Sequence, residues 1–254
     1  MKSWFTCSSA FAAIVAFGIH STIAATAVPL QNATATFSQY DPSIGWDFTV
    51  QKAINGTLAD NLGWSIAIHN QVGSITNQTA VFETISDIGF ASGSQLTFRL
   101  YQAHDFDFAM HTIGKFRLSV TTDNRSQFAD GLISNGDVTA NWVVLNPDSF
   151  VSANGATLSK LGDFSILASG FSPNTDIYTV TANTFLTGIT GVRLEVLEDP
   201  SLPFNGPGRQ PENGNICLSE FELSITQIPE PSVAALTVAG CLAWFVQNRK
   251  TRHG

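Results

Sequence analysis

Apolar residues recur at every second position through much of the middle of the chain. In "SQLTFRLYQ", Leu96, Phe98 and Leu100 share one parity, and Thr97, Arg99 and Tyr101 share the other. "GKFRLSVTT" sets Phe116, Leu118 and Val120 against Arg117, Ser119 and Thr121. "GVRLEVLED" sets Val192, Leu194 and Val196 against Arg193 and Glu195. Successive side chains of a strand point to opposite faces, so each stretch predicts a half-buried strand of an antiparallel sheet. Weaker strands are predicted at "ATATFSQ", "GWSIAI", "TAVFETI", "NWVVLN", "FSILASG", "DIYTVTA" and "CLSEFELSI". Asn-Gly pairs at 55–56, 135–136, 154–155, 205–206 and 213–214 fall between them, and this pair is a strong hairpin signal. Helical periodicity is confined to the extremities, so the expected class is all-β, a sandwich or barrel. Either one sandwich fills the body or two smaller ones meet near 125–140. The polar stretch 198–215 is too long for a hairpin and is the kind of loop that carries function or moves.

The extremities break the alternation. Lys2, the apolar run Phe11–Ile19 and Ala25-Thr26-Ala27 have the layout of a secretory signal peptide over 1–27, with small residues at the cleavage site. An N-terminal anchor that stays in place is the alternative. At the other end, Pro229 and Pro231 close the body, since proline interrupts strands and helices. Val233–Val246 is nearly all apolar and is followed by Arg249, Lys250 and Arg252. As a helix these residues span only about 21 Å, against roughly 30 Å of hydrocarbon. Trp244 and the terminal cations favour a membrane helix over 232–247, with the body on the outer side.

Pro229-Glu230-Pro231, the short apolar run and the terminal basic cluster resemble the PEP-CTERM sorting tail of exported Gram-negative proteins, here over 228–254. The resemblance implies recognition and removal by an integral-membrane exosortase, with delivery to the envelope, cell surface or extracellular matrix. An ordinary tail anchor is the alternative.

The chain carries 12 basic and 20 acidic residues. Setting aside Lys2, Arg249, Lys250, Arg252 and Glu230 leaves 8 basic and 19 acidic residues in the body, a net of −11. Phosphate binding needs Lys and Arg, so nucleic acid and anionic lipid surfaces are poor partners for the body. Cys217 is the body's one cysteine; on the parity of Phe221, Leu223 and Ile225, it reads as a small buried apolar residue.

Several body segments resemble the discoidin-like, or galactose-binding-like, jelly roll in the form attached to secreted planctomycete-type proteins. They are "ATFSQ", "AING" followed by "GWSI", "AVFET", "HTIGKFRLSVTT", "ITGVRLEVLEDPSLPFNGPGR" and "NGNICLSEFEL". The resemblance implies an antiparallel jelly-roll β-sandwich over 28–227, with ligands at the loops of one end. It also implies a structural calcium bridging the early loop to the last strand, with Asn55, Asp60, Ser65 and Glu220 as the corresponding oxygens. Asn55 stands where that family has Asp, and calcium wants six to eight hard oxygens. A hydrogen-bonded clasp between loop and strand is the alternative.

Aromatic faces pack on sugars. Trp46, in "DPSIGWDF", is the candidate platform, whereas Trp64 reads as core. Arg209 is a candidate to hold a carboxylate or sugar hydroxyl. "HDFDFAMH" is metal-like in composition, but read as a strand it turns His104 away from Asp105, Asp107 and His111. No local hydrolase, metalloprotease, redox or phosphate-loop motif is present. The expected function is therefore non-catalytic binding of a polysaccharide or glycan. A purely structural matrix protein and a glycan hydrolase are the rivals, and the last requires a pocket with two or more carboxylates of raised pKa.

Overall fold

The computed structural model describes residues 24–67, 75–105 and 109–230. The apolar run of the signal segment lies outside these residues, as do the 232–247 helix, Pro231, Arg249, Lys250, Arg252 and Asp107.

The alternating stretches become strands. In chain order they open with β1 (Thr26–Val28), β2 (Leu30–Ala35), β3 (Gln39–Asp41), β4 (Trp46–Phe48) and β5 (Trp64–Ser65). Then come β6 (Gln78–Ile88), β7 (Ser94–Gln102), β8 (Lys115–Thr121), β9 (Val143–Val144), β10 (Ser149–Ser152) and β11 (Thr157–Lys160). The last are β12 (Ile166–Ser169), β13 (Asp176–Thr184), β14 (Ile189–Val196), β15 (Cys217–Leu218) and β16 (Glu220–Gln227). One sheet runs β1-β16-β7-β13-β10, and a seven-stranded sheet runs β11-β12-β8-β14-β6-β2 with β9 beside β8. All named pairings in both are antiparallel. Both sheets take strands from either side of 125–140.

Register turns the predicted parity into a core. Phe98 lies opposite Val180 on one side and Leu223 on the other, and all three are buried. From the facing sheet come Phe82, Phe116, Leu118, Val192 and Leu194, also buried. Phe82 stacks on Phe221 at 4.9 Å and Phe116 on Tyr178 at 5.9 Å. These two ring pairs join the sheets, and burying each phenylalanine contributes about 1.5–3 kcal/mol.

Residues 122–148 form a strap over the outer face of the seven-stranded sheet. Phe128 and Ala129 bury Val81 there, backed by Val138, Ala140 and Trp142. Arg193 lies over the Trp142 ring at 5.3 Å. Gly191 lets the strap in: a Cβ there would sit 2.4 Å from the Phe128 ring, so mid-strand β14 has to be bare at that point.

Thr26–Val28 forms strand β1 on β16, with Thr26 opposite Ile225. One expectation changes: the Asn-Gly pairs sit at turns, but none closes a hairpin. The pair at 154–155 leads from β10 in one sheet to β11 in the other, so the chain crosses between sheets there instead of folding back.

Strand direction defines two ends. At the loop end β7 finishes, β13 and β16 begin, and the segments 36–77, 103–114, 170–175 and 197–219 gather. At the turn end lie the short connections 89–93 and 185–188, with Thr26 and Gln227 beside them.

Candidate functional site

Trp46, Asn55, Asp60, Arg209 and Glu220 all belong to the loop end. Residues far apart in sequence build it through backbone bonds that continue the sheets irregularly. Arg209 N donates to Thr112 O at 2.8 Å, Cys217 N to His111 O at 2.8 Å, and Ser219 N to Tyr101 O at 2.7 Å. The long loop 198–215 is thus tied to 111–114, with Gly206 to Gln210 buried. It is a packed wall, where its length and polarity alone suggested a mobile segment.

Three buried polar groups lock the wall. Trp64, fully buried, donates its indole N–H to Phe37 O at 2.9 Å; it is core, as expected. Asn215 accepts from Ile66 N at 3.0 Å and donates to Gln39 Oε1 at 3.3 Å. Arg209, only 7% exposed, donates through Nη2 to Gly170 O at 2.8 Å. Its other terminal nitrogen, Nη1, is buried and has no hydrogen-bond partner among the described residues. Tyr178 donates to Ile113 O at 3.0 Å; its phenol is pushed up to about 12 chiefly by burial, with the adjacent Arg209 guanidinium acting the other way, so Tyr178 stands beside that head.

A row of rings crosses this end of the sandwich. His111, next to Thr112, meets His104 edge to face at 5.2 Å, and His104 meets Phe48 at 5.5 Å. Phe48 and Trp46 share one face of the β3–β4 hairpin by strand parity. Trp46 is half-buried, placed to offer part of its ring. His104 Nδ1 faces Asn61 O at 2.8 Å; a carbonyl only accepts, so Nδ1 carries the proton there. Strand parity alone would part His104 from His111, yet the two rings meet. Among the described residues no group of three or more His, Cys, Asp or Glu is gathered for a metal.

The Asn55 turn meets the last strand on a different side. Gly56 N donates to Glu220 Oε2 at 3.0 Å across 164 residues. Asn55 Nδ2 donates to Asp60 Oδ2 at 3.1 Å, while its Oδ1 accepts from Thr57 N at 3.0 Å. Ser65 is buried in the β5–β15 pair, opposite Cys217. The Cys217 thiol is pushed up to about 12, by burial above all, with the Ser65 and Ser219 hydroxyls acting the other way. Donors therefore point at the carboxylate oxygens that calcium would need, and the residues present fit a hydrogen-bonded clasp better than a calcium cradle.

Beside the clasp, a groove of about 410 Å³ runs along β16. Val28, Pro29, Leu30 and Ile54 give it apolar walls, and Arg99, Glu220 and Glu222 give it charge. Glu220 is pushed up to about 7 by burial, with the neighbouring Glu222 and Asp60 charges adding to the rise. Glu222 accepts from the Tyr101 hydroxyl at 2.8 Å.

Fold and site together define an antiparallel β-sandwich with an aromatic, arginine-bearing loop end. No protein-family model matches the chain, and no curated protein does. Among the solved structures similar to it at low identity are the following two. One is CBM32-3 from a family 31 glycoside hydrolase of Clostridium perfringens: 12% identical, TM-score 0.41, covering 80% of this chain and 95% of that one. The other is the Streptococcus pneumoniae beta-galactosidase BgaA: 13% identical, TM-score 0.46, covering 81% of this chain and 92% of that one.

Proposed function

We propose that this is an exported, non-catalytic carbohydrate-binding sandwich of the cell surface or extracellular matrix. In this reading the C-terminal segment holds it at the membrane until an exosortase removes the tail. One observation carries the binding site: Trp46 shares a hairpin face with Phe48, and ring contacts continue from Phe48 through His104 to His111. A pyranose offers an apolar face to such an aromatic row. The clasp of Gly56 and Glu220 fastens the early loop in this reading and holds no cation.

Purified protein on a polysaccharide array tests this, run with and without calcium. Retention that is lost in Trp46→Ala, and is indifferent to calcium, is the expected result. No retention on any glycan would leave the structural-matrix rival standing.

The groove motivates the hydrolase as a second reading, because it pairs Glu222 with a carboxyl of raised pKa. Turnover of aryl glycosides by the wild type, abolished in Glu220→Gln, would replace binding with catalysis.

A further inference from the structure

The turn end lies opposite the proposed glycan row, and like Phe171 and Phe204 at the loop end it leaves phenylalanine exposed. Phe185 is 76% exposed and Phe90 is 36% exposed, with Leu186 and Ile228 partly exposed between them. The connections carrying them are packed together. Gly93 N donates to Phe90 O and Ile228 N to Gly93 O, both at 2.9 Å. A Cβ on Gly93 would lie 2.9 Å from the Phe185 ring and 3.2 Å from Ile228 Cδ1. Phe185 and Ile228 thus meet around Gly93, on the turn that carries Phe90, while Leu186 reaches in to the core; the exposures are clustered into a cap, not scattered.

Charge is sparse around the cap. The stretches that meet there, 24–40, 88–98, 177–192 and 223–229, contain no Asp, Glu, Lys or Arg. Asp87 pairs with Arg125 at 2.8 Å, and Asp148 accepts from Asn183 N at 2.7 Å. Glu230, exposed in the linker two residues past Ile228, is the carboxylate that has to stay at the headgroup level, because burying it in lipid would be costly.

Sequence then supplies the occupant. Residues 229–232 are all that separate Ile228 from the apolar run starting at Val233. Even fully extended, that linker keeps Ile228 within about 18 Å of Val233.

We propose that the turn end is a membrane-facing surface, with Phe90, Phe185, Leu186 and Ile228 seated in the interfacial layer of a neutral bilayer. This rests on the reading that Val233–Val246 is held in the membrane. The short linker makes the contact intramolecular, so a cap too small to bind lipid alone binds when tethered. The glycan row then points away from the membrane.

The full chain in phosphatidylcholine nanodiscs, at one molecule per disc, tests it by hydrogen–deuterium exchange. Amides of 88–94 and 184–190 should exchange roughly tenfold more slowly than in the body released by cutting after Ile228. Exchange over 131–136 should not change. Phe90→Ser/Phe185→Ser in the full chain, with thermal melting unchanged, should lose the protection. A chain that stays in the discs with both turns exchanging as in the released body overturns the membrane-facing surface and leaves the tail reading intact. A chain that does not enter the discs overturns both. Protection that appears in the released body on raising its concentration assigns the cap to a second copy, and also overturns it.

Discussion

The two ends of this sandwich are built by opposite means. The loop end gathers long connections and fixes them with buried polar braces: the Trp64 indole, the Asn215 amide and the Arg209 guanidinium. The turn end closes with short glycine-containing connections and leaves phenylalanine in the open. Rigidity therefore resides where a ligand has to be met by fixed groups. The other end needs only to be neutral and apolar, and short turns suffice for that.

Substitutions can break that contrast or sharpen it. The largest effect is expected from Trp64→Ala, which removes a fully buried ring and its bond to Phe37. It should cost about 3–5 kcal/mol, and Tm by thermal circular dichroism should fall by roughly 6–20 °C. Phe185→Ser at the turn end should stay within about 0.5 kcal/mol of wild type. Equal losses at the two ends would erase the distinction.

Arg209→Lys keeps the charge but loses the planar fork that reaches Gly170. A penalty of about 1–3 kcal/mol is expected, with weaker glycan retention. Trp46→Ala should melt close to wild type, yet its dissociation constant for the retained glycan should rise by roughly tenfold. A melting loss as large as that of Trp64→Ala would recast Trp46 as core.

Glu220→Gln should give a small change that depends on pH. The folded-state pKa of about 7 lies above the ordinary 4.5, so protonation favours the fold. That stability is complete below about pH 4.5 and is lost as pH rises through about 7. Glutamine still accepts from Gly56 N–H but cannot ionise. Solvent screening at this half-exposed site leaves about 1 kcal/mol, so above pH 7 the variant should melt roughly 2–4 °C higher than wild type. Its Tm should also lose the fall across that window. A variant as pH-dependent as the parent would locate the titration elsewhere.

Much of the architecture was legible in the sequence because period-two alternation is a local signal. It located β7, β8 and β14, and the parity of Cys217 with Phe221 marked both as buried. Strands with little contrast, such as "SFVS" (β10) and "TLSK" (β11), gave no such signal. Partners were illegible wherever contact is non-local. Nothing near Arg209 announces the Gly170 carbonyl, and the Asn55 turn does not reveal Glu220 Oε2 as acceptor for Gly56. Parity along "HDFDFAMH" set His104 and His111 on opposite faces, and their ring contact is one that parity cannot reveal.

Strand β16 has a mechanical consequence. It runs from Glu220 at the loop end to Gln227 at the turn end, flanked by β7 and β1. A cell dragging on a glycan gripped at one extremity, with the polypeptide held at the other, would pull this strand lengthwise. Its ladder bonds lie across the line of pull, so they would be sheared together instead of peeling apart in turn. That geometry suits a fastener that has to bear load.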